Sequence, residues 1–521
     1  MRFVISLFVY LMLTASPGAV ELQDLLLKSV GGEEALNTLR NLKAVKSTGR
    51  LVLNGQEGEF LQYFAPPDKY YMEVNFAAFN LIQAYDGKTA WQKDLNGQVS
   101  HLEAYARREL LQMIYFESFG FLFSDSMENE IAFLGTTEIE DMVFHEVAFF
   151  PFKTDTLYAY YDTTTSLRAF TLTRIDQLEA ITVIQDYRDV SGMMIPFYSM
   201  SEIPQAQLVT ETFLDTVELN VPLPDGIFSP PDELHRDYLF PAGVTELSVP
   251  FKYSYGHIRM PIIINGQKQV WMILDSGAST NIFHSGAVEN LFLSVVGSLP
   301  AMGMGGYEEV ALVQTDSVQI GELSLYGQVA GRMDLGNLAE TRDDTLFGGL
   351  LGYDFLSRFP VEVNYAESTI TVYNPETFKP DTGGFEIPFH LTIQIPTIEG
   401  EINGVSGDFI VDLGNAFGLV IHPHFAQENM LKEKLSDIRE LRDAIGGIGG
   451  VVKGRSAYAE SFRMGEVVLE SIRVLLPESN AGMVSSEELA GNIGNMVWEN
   501  FRVLLDYGRR RLILYPDSSE N

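Results

Sequence analysis

The sequence predicts a mainly β protein: an antiparallel sheet with helices (α+β), followed by two all-β lobes related by duplication. Three observations carry that expectation. Across residues 44–228, short strand-like runs are punctuated by Asn54-Gly55, Asp86-Gly87 and Asn96-Gly97, the turn chemistry of hairpins. Across residues 249–516, one pattern occurs twice: an apolar run that stops on an aspartate, then a glycine. Composition is that of a globular chain, 46% hydrophobic and 20% charged. Its 521 residues leave room for about two to four domains.

The first copy spans residues 270–283, V-W-M-I-L-D-S-G-A-S-T-N-I-F. A strand-like run ends on Asp275, and Ser276 and Gly277 turn the chain. Asp-Ser-Gly by itself is also an ordinary turn. The second copy spans residues 407–421, G-D-F-I-V-D-L-G-N-A-F-G-L-V-I, with Asp412 at the strand end and Gly414 where Gly277 stood. The match extends outward on both sides. Ile264-Asn265-Gly266 and Ile402-Asn403-Gly404 precede the two strands as turns. G-G-L-L-G at 348–352 has its counterpart in G-N-I-G at 491–494. S-R-F-P-V-E-V-N-Y, ending on Tyr365, aligns with E-N-F-R-V-L-L-D-Y, ending on Tyr507. The tyrosines lie 142 residues apart and the aspartates 137, so the offset barely drifts across the repeat.

A strand, Asp-[Ser/Thr]-Gly, a Gly-containing hairpin and an apolar-apolar-Gly together resemble the aspartic peptidase fold. The wording G-L-L-G-Y-D-F-L at 349–356 is similar to bacterial retropepsin-type members, and two lobes in one chain are similar to pepsin-like enzymes. The resemblance covers about half the chain. It implies a bilobal acid-protease fold and the hydrolysis of peptide bonds by an Asp275/Asp412 dyad, without a metal, cofactor or covalent intermediate. The chemistry explains the duplication. Two carboxylates in hydrogen-bonding range cannot both ionise cheaply, so they hold one proton between them. The ionised member takes a proton from water, and the protonated member donates to the carbonyl under attack. Ser276, Gly277 and Gly414 are the expected supports of the dyad loops, the glycines letting amide N–H groups approach the carboxylates.

Lobe two departs from the family pattern. Leu413 lacks the hydroxyl that Ser276 retains, so half of the expected brace between the loops is missing, and Asn415 stands where a small residue or Ser/Thr is usual. Lobe two therefore reads as an evolved second half with a weakened brace, or as a degenerate half. In the second case catalysis is lost or carried by a dimer of lobe one.

The other elements follow in chain order. Residues 1–19 read as a secretory signal: Arg2, an apolar run too short to span a membrane, then small residues. The chain has no cysteine, which excludes disulfides and a lipobox and fits export in a bacterium, to the periplasm or beyond. With 70 acidic against 35 basic residues the net charge is −35, which argues against nucleic acid and anionic membrane surfaces. Residues 21–42 read as helix broken at Gly31-Gly32, residues 104–119 as a helical interruption, and strands are expected to return from Glu138. G-G-x-x-A-L-x-x-L, A-P-P-D-K, A-Y-D-G-K-T-A-W and D-Y-R-D-V-S-G-M-M-I-P-F resemble periplasmic domains related to the lipoprotein carrier LolA. That resemblance implies an antiparallel half-barrel over 20–228, able to hold an acyl chain or a hydrophobic segment. Its aromatics read equally as ordinary core. The Pro-rich stretch 229–243 reads as a linker between it and the lobes, 244–380 and 381–516.

Two glycine clusters, around Gly305-Gly306-Tyr307 and Gly449-Gly450, lack the strand-before, helix-after context of a phosphate loop. They read as flaps over the cleft. His422 and His424 carry no metalloprotease signature, there is no G-x-S-x-G elbow, and Asp506 aligns with Asn364 as a structural residue. The reading that results is an exported aspartic endopeptidase acting on protein or peptide substrates. The alternative is an inactive peptidase fold whose N-terminal half binds a lipid or a hydrophobic peptide.

Overall fold

Turn chemistry lays down most of this chain. At Asn54-Gly55 and Asn403-Gly404 both residues take positive φ, as a two-residue type I′ turn requires. They close on Leu53 opposite Gln56 and Ile402 opposite Val405. Asn265 and Gly266 do the same in a loop one residue longer, closing on Ile264 opposite Lys268. The computed structural model describes residues 22–123, 130–151, 156–176, 178–231, 236–339, 346–441, 445–448, 450–479 and 481–516. The expected signal at 1–19 lies outside them.

The protein is mainly β. The N-terminal half is one 13-stranded sheet in which every neighbouring pair is antiparallel. One meander runs from Val45–Leu53 to Val99–His101, a second from Glu130–Ile139 to Leu208–Leu219, and Val45–Leu53 and Leu208–Leu219 join them. Helices Leu22–Ser29 and Gly32–Arg40 meet at Gly31, whose φ of 114° and contact with the Gly192 carbonyl admit no side chain. Their Leu25, Leu26 and Ala35 pack with Phe149, Tyr161 and Met193 of the second meander. Ala104–Glu117 supplies the expected helical interruption. Strands resume at Glu130, earlier than Glu138. A bulge between Phe133 and Gly135 breaks the apolar alternation there, and alternation is the signal by which a strand is read.

The C-terminal half repeats one unit. In lobe one, Lys268–Leu274 pairs in parallel with Phe347–Leu351, and Ile282–His284 pairs antiparallel to the latter. In lobe two, Val405–Val411 pairs in parallel with Gly491–Ile493, and Leu419–Ile421 pairs antiparallel to it. A six-stranded sheet joins the lobes through Val361–Asn364 against Phe501–Asp506. One apolar core runs through both lobes, with Met272, Phe283, Phe355, Phe409, Leu413 and Trp498 fully buried in it. That continuity fixes the lobes relative to each other, because a close-packed core resists sliding.

The two halves share buried polar contacts. Asn96, in the loop after Ala90–Lys93, donates to the Val329 carbonyl and to Asp354 Oδ1 at 2.9 Å each, and accepts from Val329 N–H at 2.8 Å. Leu391 N–H donates to Glu103, and Arg108 pairs with Glu488 at 2.8 Å. Within the expected linker, Tyr238–Leu239 pairs with Leu323–Tyr326, and Asp237 is buried against Arg358. Asp94 sits beside this junction with one carboxylate oxygen partnered by Asn96 and Gln98 N–H and the other without a partner. Burial, and then the charge of Asp354, push its carboxyl up to about 7, against the pull of Arg358. A carboxyl raised in the folded state contributes stability that is present below its unfolded value and lost as pH rises through the folded one. The full chain should therefore lose stability between about pH 4 and about pH 8, and Asp94→Asn should melt higher than wild type at about pH 8, by up to a few kcal/mol. Melting curves in acid and at about pH 8 check this; an equal difference at both ends would refute it.

Candidate active site

Each aspartate is delivered by the last residue of a buried parallel strand. Asp275 N–H donates to the Leu351 carbonyl at 2.9 Å, and Asp412 N–H to the Ile493 carbonyl at 3.0 Å, so the two loops have one geometry. Asp275 Oδ1 accepts from Gly277 N–H at 2.9 Å, and Asp412 Oδ1 accepts from Gly414 N–H at 2.8 Å. The glycines also face the opposite carboxylate. A methyl group on Gly414 would lie 2.3 Å from Asp275 Cγ, and one on Gly277 would lie 2.7 Å from Asp412 Cγ. No side chain larger than hydrogen allows the carboxylates to meet, and here they meet and share a hydrogen bond.

Ser276 braces the loops across the lobes. Its hydroxyl donates to the Val411 carbonyl at 2.7 Å and accepts from Leu413 N–H at 2.9 Å. Leu413 returns no hydroxyl and is fully buried in the common core. Its carbonyl is held by Asn495 Nδ2 at 2.7 Å, and Tyr365 holds Asn495 in turn, donating to its Oδ1 at 2.7 Å. The brace of lobe two is thus built from packing and an amide.

The pair is asymmetric. Asn415 Nδ2 donates to Asn492 Oδ1 at 2.7 Å, which turns Asn492 Nδ2 onto Asp412 Oδ2 at 2.5 Å. Asn415 N–H adds a bond to Asp412 Oδ1 at 3.0 Å. In lobe one the position equivalent to Asn492 is Leu350, which has nothing to donate. Burial, then the charge of Asp412, hold the Asp275 carboxyl well above the usual carboxylate range. Burial also raises Asp412, but the bonds from Asn492, Gly414 and Asn415 oppose it. The proton they share therefore favours Asp275.

Sequence reasoning missed Asn492, although G-N-I-G in place of G-L-L-G carried the signal. It missed His257 as well. That imidazole lines the cleft beside the Gly414 backbone, and burial and then Arg259 push it down to about 4, so it is neutral there. Asp506 accepts from Arg509 and Arg511 on the interlobe sheet, away from the dyad, as expected of a structural residue.

Both expected flaps are hairpins. Ser294–Gly303 turns through Met304 and Gly305 into Gly306–Gln314, and Ile445–Gly447 pairs with Gly450–Val452. Gly306 and Gly450 take φ of 143° and 120°. The tips touch, Gly305 N–H donating to the Ile448 carbonyl at 3.1 Å. Tyr307 is tied to its own hairpin, its hydroxyl 3.0 Å from Met302 Sδ. Gly449 lies outside the described residues. Beneath the flaps is a cavity of about 1570 Å³ whose walls include both aspartates.

Residues 260–355, with the first aspartate loop and the G-L-L-G strand, match the family model described as aspartyl protease. The match falls within lobe one, and lobe two repeats the strand pairing of that lobe around its own aspartate. A solved aspartic proteinase from Irpex lacteus is similar at 14% identity and a TM-score of 0.36, over 52% of this chain and 98% of its own. A LolA superfamily protein from Nitrosomonas europaea is similar at 12% identity and a TM-score of 0.30, over 41% of this chain and 99% of its own. No curated protein matches the chain.

Where a single hydroxyl bridges two lobes, that brace should be costly to lose. Ser276→Ala strands a buried carbonyl and a buried N–H, and should destabilise the protein by about 2–4 kcal/mol. Denaturant unfolding of the full chain measures it, and a loss under about 0.5 kcal/mol would mean that Asn495 and core packing suffice.

Proposed function

We propose that this protein is an exported aspartic endopeptidase that cleaves peptide bonds with Asp275 and Asp412. One observation carries the reading: Gly277 and Gly414 each lie against the opposite lobe's carboxylate, so that two half-buried acids on the cavity wall share a hydrogen bond. Such a pair is costly to bury and has no structural need that a neutral residue would not meet better.

The asymmetry of the pair divides the roles. Asp412, held by three donors, is the ionised member and takes a proton from a water between the acids. Asp275 is the protonated member and donates to the carbonyl oxygen of the scissile bond. The water oxygen bonds to the carbonyl carbon, giving a tetrahedral diol. The proton on Asp412 then passes to the leaving nitrogen, the C–N bond breaks, and Asp275 recovers its proton as the diol becomes a carboxylic acid. The two hairpins meet over the cleft, Gly305 N–H donating to the Ile448 carbonyl, which places the reacting groups under a protein cover. Export to a bacterial periplasm is the expected setting, on the signal-like segment read at residues 1–19 and the lack of cysteine.

Cleavage of an unfolded protein, followed from acid to neutral pH, tests the reading. Asp275→Asn and Asp412→Asn should each lower the rate by at least about 10³-fold. If only Asp275→Asn does so, lobe two is a scaffold and the active species is a dimer through lobe one. If the wild type cuts nothing, the fold is inactive and the dyad reading fails. Asn492→Leu tests the division of roles. Losing a bond to a charged acceptor should lower kcat/KM by about 10–100-fold and move the acid limb of the pH profile upward, because Asp412 then keeps its proton to higher pH. An unmoved acid limb would remove Asn492 from the mechanism.

A further inference from the structure

The cavity over the dyad does not end at the peptidase lobes. The same 1570 Å³ space has Asp275 and Asp412 on one side and the inner face of the N-terminal sheet on the other. It is larger than an ordinary small-molecule site of roughly 300–1,000 Å³. The sheet is held over the cleft at several points. The turn Pro204–Ala206, at the tip of one hairpin, packs on the flap hairpin of lobe one. Asp176, at the tip of the next, accepts from Glu487 N–H of lobe two at 2.7 Å.

The part of the sheet nearest those tips has a chemistry of its own. Thr171 lies opposite Thr182, Thr182 opposite Ser201, and Ser201 opposite Thr210, giving one row of hydroxyls straight across four strands. Ser199 and Thr212 pair in the next row. All six line the cavity. Farther along, the sheet and the helix Ala104–Glu117 add the apolar side chains Phe60, Tyr70, Met72, Leu110 and Met113, with Gln62, Gln83 and Gln92 among them. Several carboxylates of the lining are engaged by the protein: Glu103 by Leu391 N–H, Glu109 by the Tyr105 hydroxyl, Glu117 by the charge of Arg168, Glu488 by Arg108 and Asp176 by Glu487 N–H. Four strands span about 14 Å, the length of roughly four extended residues.

We propose that the N-terminal sheet is the distal half of the substrate site, and that it takes an extended, uncharged, largely apolar peptide segment continuous with the bond held at the dyad. The hydroxyl row favours a peptide over an acyl chain. Within the row Thr182 donates to Ser201 at 3.1 Å, and the row's remaining donors and acceptors are ones that a peptide backbone uses and a hydrocarbon cannot. The substrate is then a chain segment long enough to reach past the flaps, and a loop on a folded protein is excluded by the overhanging sheet. This rests on the dyad reading for the cleavage step but not for the binding.

The test compares two fluorogenic peptides of uncharged residues cut by the full chain, one of about six residues and one extended to about twelve by apolar and small residues. Wild type should prefer the longer by at least about tenfold in kcat/KM. Thr182→Trp and Ser201→Trp, which fill the cavity, should cut that ratio to about one-tenth, and Thr182→Val, which removes a hydroxyl at constant shape, should lower it several-fold. A ratio within one variant is independent of how much of it folds. No length preference, or a ratio that the variants leave in place, overturns the proposal. So does a fluorescent fatty acid that binds wild type and is expelled by Thr182→Trp while the longer peptide is not. If wild type cuts neither peptide, anisotropy of the labelled longer peptide decides. Binding weakened by Thr182→Trp retains the distal site and sinks only the dyad reading, and no binding sinks both.

Discussion

Two carboxyl groups held within hydrogen-bonding distance, with one proton between them, are the constraint around which the C-terminal half is built. The lobes must be held so that neither carboxylate can relax away from the other. The continuous core, the shared six-stranded sheet and the Ser276 bridge all serve that requirement. So do Gly277 and Gly414, since a methyl group at either position would push the acids apart. Parallel pairing at both strand ends gives each aspartate the same backbone support, and this is what duplication of one unit delivers.

Duplication alone would give a symmetric pair, and a symmetric pair does not decide which acid holds the proton. Lobe two breaks the symmetry in three places. Asn492 donates to Asp412 where Leu350 has nothing to donate, Asn415 orients Asn492, and Leu413 gives up the reciprocal hydroxyl. Two of these three are the departures that made lobe two look degenerate by sequence. In the folded protein Asn415 is part of the support of Asp412, and Leu413 exchanges a hydroxyl bridge for burial, with Asn495 keeping its carbonyl partnered.

The N-terminal sheet changes what the cleft is. Asn96 ties it to lobe one, and Glu103, Arg108 and Asp176 tie it to lobe two. A sheet so anchored does not hang from a flexible tether, and part of the stretch that reads as a linker is itself paired and buried against lobe one. Access to the acids is then governed by a wall that belongs to neither lobe.

The sequence by itself determined the elements whose signals are local. Asn-Gly turns, the break at Gly31, the two strand-Asp-x-Gly loops and the repeat that relates them are all written in neighbouring residues. It set the strand at Glu130 less well, because the bulge at Gly135 interrupts the alternation that announces a strand. Tertiary structure decided everything that depends on residues far apart meeting. The shared hydrogen bond spans 137 positions of sequence, and Asn492 reaches Asp412 across 80. The hydroxyl row is assembled from four strands, each contributing one residue that in sequence is an ordinary Ser or Thr. Such groupings leave no trace in composition or period, since register and packing bring them together only after the chain has folded.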